Sequence, residues 1–212
     1  MELKSEPCTS EQDQPDLDFT DFSAAGASTL NPDMLVPDAS AFLVDALSAD
    51  ALHKTEIGFS ASPGVEYRIA YARGPRTELA GRPAGVVIVL EDDITTSKVI
   101  ETVLKKEGYS VRCSSTMNEL IAALGIKPLP QLIVMSLMLP DVSGFDILTR
   151  LKRHAVVKSI PVLVLTGLAD NKSLLRAIAL GADGYLTKPT YPRVLLQTMH
   201  TILGIASTRE AV

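Results

Sequence analysis

Three short apolar runs constrain this chain more than any other feature: Val86 to Leu90, Leu132 to Met135 and Pro161 to Leu165. None is long enough for a core helix, and none alternates with polar residues. A brief unbroken apolar run fits a strand buried on both faces, as in a parallel sheet. Each run stops abruptly at polar residues: Glu91-Asp92-Asp93 after the first, Ser136 after the second, Thr166 after the third. Two weaker runs, Tyr109 to Cys113 and Tyr185 to Thr187, complete a set of five, the last followed by Lys188-Pro189.

Between the runs the apolar period changes to that of a helix. A helix beginning at Asp93 and reaching Glu107 buries Ile100, Val103 and Leu104, with Gly108 as its stop. Thr116 and Glu119 make a capping-box pair for a helix through Leu124. Gly144 opens a helix carrying Phe145, Leu148 and Leu151. Asp170 caps one that buries Leu174, Leu175 and Ile178 and stops at Gly181, and Pro192 suits the first turn of a last one bearing Leu195, Leu196, Met199 and Ile202. Five strands alternating with five helices predict an α/β fold, a doubly wound parallel sheet covered on both faces.

The N-terminal part is built differently. From Met1 to Leu52, eleven acidic residues stand against Lys4 alone, a net charge of −10 in a chain of net charge −5. An acidic tail on a mildly basic body is the expectation. Residues 1–37, rich in Ser, Thr, Asp, Pro and Ala, read as a disordered acidic tail. Within residues 38–73, Phe42, Leu43, Leu47 and Ala51 share a helical face, and Glu56 to Ala72 alternates with period two around Pro63-Gly64. That predicts a small helix and a β-hairpin. A lone hairpin is unstable in water, so it must pack on the helix, the main domain or a partner. Residues 74–84, rich in Gly and Pro, are the expected linker, 85–204 the main domain and 205–212 a C-terminal tail.

Several classes are disfavoured. No GxGxxG or GxxxxGK[ST] pattern follows a strand, which argues against a dinucleotide or nucleoside triphosphate. Cys8 and Cys113 have no metal-ligand spacing, and Cys113 reads as an inert core thiol. His53, His154 and His200 are scattered. With no signal peptide and no long apolar span, a cytoplasmic location away from membranes is expected.

In a doubly wound sheet the carboxyl ends of the strands converge on one crevice. There Glu91 and Asp92 offer hard oxygen ligands of the kind Mg²⁺ takes, and Thr166 and Lys188 could receive a phosphoryl group. At these residues the chain resembles the receiver domain of two-component response regulators. The similarity rests on Glu-Asp-Asp, then Leu-Met-Leu-Pro-Asp-Val-Ser-Gly, then Leu-Thr-Gly and Tyr-Leu-Thr-Lys-Pro, in order, and covers about Gly85 to Gly204. The resemblance implies a flavodoxin-like five-stranded sheet of order 2-1-3-4-5. It implies Mg²⁺ at Glu91 and Asp92, phosphoryl contacts from Thr166 and Lys188, a switch aromatic at Tyr185 and a cis bond before Pro189.

The sequence departs from the family at the phosphoacceptor. Where the family carries an aspartate, this chain has Ser136. A serine forms no acyl phosphate and gives a metal no carboxylate oxygen, so Mg²⁺ binding should be weakened. Asp141 lies beyond Pro140 in the loop and does not replace it. The expectation is a degenerate receiver, or pseudo-receiver, with Lys188 paired to Asp92 and Tyr185 packed rather than moving.

Three functions follow as expectations. The first is a bacterial, non-enzymatic signalling module in a two-component phosphorelay pathway. It would be independent of phosphorylation and would bind a histidine kinase, another receiver or an output protein, a homodimer included, through its fourth helix, fifth strand and fifth helix. The second is a transcription regulator with a small N-terminal DNA-binding element. It is disfavoured because only Lys54, Arg68, Arg73, Arg76 and Arg82 lie near the hairpin, which leaves nucleic acid an unlikely partner. The third, a small enzyme, lacks any nucleophile, base and orienter set, so no catalytic residue is assigned.

Overall fold

The computed structural model describes residues 55–59, 67–71 and 85–205. In chain order these form β1 (Thr55–Phe59), β2 (Tyr67–Tyr71), β3 (Val86–Leu90), α1 (Ile94–Lys106), β4 (Ser110–Ser114), α2 (Met117–Gly125), β5 (Leu132–Met135), α3 (Gly144–Arg153), β6 (Val162–Thr166), α4 (Asn171–Ala179), β7 (Gly184–Thr187) and α5 (Pro192–Leu203). The expected helix near residues 39–52, the acidic tail, the linker and residues 206–212 lie outside the described residues.

The apolar runs form strands because both faces of the sheet are covered. β3, β5 and β6 are buried along their whole length. Their side chains alternate between two cores. Ile88, Leu90, Ile133, Met135, Val162 and Val164 enter the core under α2, α3 and α4. Val87, Val89, Leu132, Val134, Leu163 and Leu165 enter the core under α1 and α5. A fully buried aliphatic side chain stabilises the fold by about 1.5–3 kcal/mol, so each run anchors both layers at once. The helix starts are chemically marked. Asp93 Oδ1 accepts from Thr96 N at 2.6 Å, Thr116 Oγ1 from Glu119 N at 3.3 Å and Asp170 Oδ1 from Ser173 N at 2.8 Å. Glu119 reaches back to Ser115 N at 2.6 Å, one residue earlier than a simple capping box requires.

The sheet differs from the expected five-stranded parallel one. Among the described residues it has seven strands in the order β1-β2-β7-β6-β5-β3-β4. The five strands from β3 onward pair parallel, while β1 and β2 form a hairpin and β2 pairs antiparallel with β7. The hairpin therefore extends the main sheet. On the expected docking face, the β7 edge between α4 and α5 is thus paired to β2.

Cys113 is a second correction, because it is exposed. It sits on β4, the outermost strand on the other side of the sheet. Only β3 pairs with β4 among the described strands, so the end of β4 is open to solvent.

Candidate functional site

The crevice forms where the sheet order reverses. The chain leaves β3 for β4 on one side and returns to β5 on the other, and open α/β sheets place ligands at such a point. Glu91 follows β3, Ser136 follows β5, Thr166 ends β6 and Lys188 follows β7. Register keeps these ends level: Leu90 lies opposite Met135 and Thr166 opposite Thr187. Ser136 N donates to Leu90 O at 2.9 Å, and Lys188 N to Thr166 O at 2.8 Å.

Gly144 holds the loop after Ser136 close to the strand end. A Cβ there would lie 2.5 Å from Leu137 Cα and 2.6 Å from Ser136 O. Only glycine lets α3 begin against that backbone, and Gly144 N donates to Leu137 O at 3.0 Å.

The polar groups of the crevice are largely satisfied by one another. Glu91 is 4% exposed, and Lys188 Nζ lies 2.5 Å from its Oε2. Its Oε1 accepts weakly from Asp93 N at 3.4 Å. Burial pushes the Glu91 carboxyl above its ordinary range, and the hydrogen bond and charge of Lys188 only partly offset that rise. The partner of Lys188 is thus Glu91 and not Asp92, which is exposed. The reason is parity along the pleat. Glu91 continues the Val87–Val89 side and Lys188 the Leu186 side, and these residues share the α1/α5 core.

The other expected residues are turned inward. Ser136 is 2% exposed and its hydroxyl donates to Met138 O at 3.3 Å. Thr166 is buried and its hydroxyl accepts from Leu168 N at 3.2 Å. Tyr185 is fully buried and its hydroxyl donates to Leu168 O at 2.6 Å. The Lys188-Pro189 bond is cis. Asp141 lies away from this cluster, where Oδ2 accepts from Met117 N at 3.4 Å at the start of α2.

These donors do not fit Mg²⁺ well. The described residues bring no set of three acidic, histidine or cysteine groups within reach of one ion. Of the two adjacent carboxylates, one is neutralised by Lys188 and the other stands alone. Magnesium needs near-octahedral oxygen coordination, and a serine hydroxyl bonded to a carbonyl adds little to it.

Comparison with known proteins places this geometry. The profile of the response regulator receiver domain matches residues 87–200. The chain belongs to this family. Among curated relatives, the cell cycle response regulator CtrA of Brucella ovis is 36% identical over 117 residues, covering 55% of this chain and 49% of that protein. The phosphate regulon transcriptional regulatory protein PhoB of Klebsiella pneumoniae is 30% identical over 117 residues, covering 55% of this chain and 51% of its own length. The chain therefore spans about half the length of these relatives. Among solved structures, a response regulator from Chloroflexus aurantiacus superposes with a TM-score of 0.54 at 29% identity, covering 58% of this chain and 99% of that one. The chemotaxis protein CheY4 of Vibrio cholerae gives 0.52 at 26% identity, covering 57% and 100%. The receiver is thus shared, and the hairpin lies outside the family match.

Two features of the receiver were missed in the sequence. Asp183, 5% exposed, accepts from Lys152 Nζ and from Val162 N, both at 2.8 Å, locking α3 to the start of β6. Its signal was an acid placed directly before a buried strand. An apolar groove of about 440 Å³ runs between α1 and α5, walled by Val99, Ile100, Val103, Leu165, Pro189 and Leu195. Ile100, Val103 and Leu195 each fit a helix's core face in the sequence, while Val99, 54% exposed, has no place in that pattern.

Proposed function

We propose that this receiver is a pseudo-receiver that works by protein–protein interaction and independently of phosphorylation at the usual position. The observation that carries this reading is the closed crevice: Ser136 stands at the acceptor position, and Lys188 is held by the buried Glu91. With its ammonium engaged and no carboxylate opposite, the crevice offers a phosphoryl group neither acceptor nor counter-charge. The proposed setting is a two-component pathway in a bacterial cytoplasm, with a histidine kinase, another receiver or an output protein as partner, and no catalytic activity. Among the described residues no helix is long and apolar enough to cross a membrane.

Surface chemistry supports the interaction role. Ile94, Met138 and Tyr191 are 77%, 52% and 70% exposed. They follow β3, β5 and β7 in the chain, on the loops and helix start at the crevice end of the sheet. Large exposed apolar groups gathered at one end of a domain suit contact with a protein surface. The reading as a transcription regulator with its own N-terminal DNA-binding hairpin is weaker, because β2 is built into the sheet.

Incubation with a labelled small phosphodonor and Mg²⁺, then a base-lability test and mass mapping, examines the proposal. The wild type should carry no base-labile phosphate. Such a phosphate at Asp92, Asp93 or Asp141 would overturn it. An ester on Ser136, the product a serine kinase would give, is base-stable, so the lability test tells the two chemistries apart.

A further inference from the structure

The hairpin lies outside the residues matched to the family, yet it is built into both cores. In the β2–β7 pairing, Arg68 lies opposite Leu186, Ile69 opposite Tyr185 and Ala70 opposite Gly184. Ile69, 6% exposed, joins the same core as Tyr185, and Ala70, 1% exposed, joins the opposite one. Arg68 Nε donates to Thr198 Oγ1 at 3.1 Å, tying β2 to α5. The approach is close: a Cβ on Gly184 would lie 2.9 Å from Ile69 O and 2.7 Å from Ile202 Cδ1.

From that seat a continuous set of contacts reaches the crevice. Ile69 backs Tyr185 across the strand pair. The Tyr185 hydroxyl holds Leu168 O at 2.6 Å, and Leu168 N bonds the Thr166 hydroxyl at 3.2 Å. Thr166 O accepts from Lys188 N at 2.8 Å, and Lys188 closes on Glu91. Among the described residues three pairs join β2 to β7. A pairing this short can open locally without global unfolding.

We propose that the β1–β2 hairpin is an input element. Seated on β7, it holds Tyr185 inward and fixes the turn from Gly167 to Asp170. Unseated, it frees Tyr185, and the turn and the crevice mouth relax together. Control then enters through the sheet edge that the hairpin closes. This device does not depend on whether Ser136 is phosphorylated.

Hydrogen exchange on the full chain tests it, with the amides of Leu168 and Lys188 as reporters and those of Val89 and Val134 as core controls. Ile69→Asp should speed exchange in β2 and at both reporters together, leaving the controls protected. Arg68→Ala, a milder change, should do the same by about fivefold, the equivalent of one lost hydrogen bond, and Arg68→Lys should partly restore protection. Tyr185→Phe should loosen Leu168 while β2 stays protected. If Ile69→Asp exposes the controls as well, Arg68→Ala decides. Exchange that rises in β2 without rising at Leu168 and Lys188 overturns the proposal, in either variant. A wild-type acyl phosphate would overturn the pseudo-receiver reading and leave this coupling intact.

Discussion

Replacing Lys188 with methionine removes the one cation that, among the described residues, bonds the Glu91 carboxylate, and keeps most of the side-chain volume. Removing one partner of a buried ion pair costs about 3–5 kcal/mol, because the other charge is left without compensation. Two features reduce that here. The Lys188 side chain is 24% exposed, so solvent already screens part of the attraction. Glu91 can also escape by taking up a proton. The expected loss is about 2 kcal/mol in neutral solution. The pH dependence has a definite sign. The Glu91 carboxyl is already raised above its ordinary 4.5 by burial. A carboxyl raised in the folded state contributes stability that is complete below its unfolded value and is lost as pH rises through its folded value. Lys188→Met removes the lowering influence, so the folded value climbs further and the loss extends to higher pH. Urea unfolding of both proteins across this range should show a gap of about 2 kcal/mol near neutrality, shrinking below about 1 kcal/mol in acid where Glu91 is protonated in both. A gap independent of pH, or no gap near neutrality, would refute the assignment of Glu91 as the buried partner.

Two further substitutions test the frame around the crevice. Gly144→Ala places a methyl group against the backbone of Ser136 and Leu137, which cannot swing aside, so thermal unfolding should show a loss of about 3 kcal/mol, at the upper end of overpacking; a neutral result would mean that α3 does not start against that backbone. Asp183→Ala takes from Lys152 and Val162 N a shared buried partner and should cost about 3 kcal/mol in urea unfolding, whereas a change below about 1 kcal/mol would mark the pair as screened.

Much of the receiver was legible from periodicity alone. Runs such as Val86–Leu90 are apolar at every position because each neighbour faces a different core, and that pattern survives without knowledge of partners. Caps were legible for the same local reason: Asp93, Thr116 and Asp170 act within three residues of themselves. The pairing of Lys188 was misassigned because Glu91 and Asp92 are chemically alike and adjacent. Pleat parity separates them, since Glu91 shares a side with Val89 and Lys188 with Leu186. The hairpin itself was legible, but its seat was not. Whether β2 joins β7 depends on which edge of the sheet is open and on the space beside Gly184, which no local pattern records. Cys113 misled because an apolar pattern says nothing about a strand's place at the rim.

The central claim is that the crevice is closed on itself, with one carboxylate neutralised and the acceptor position occupied by a serine. A Mg²⁺ titration followed by amide shifts at Glu91, Asp92, Ser136 and Lys188, run on the wild type and on Ser136→Asp, tests it directly. The wild type should show only weak, unsaturable shifts at Asp92, while Ser136→Asp, with a third carboxylate, should bind Mg²⁺ in a saturable way. Saturable binding by the wild type that moves Glu91 and Lys188 together would contradict the account, because it would show that the ion opens the pair.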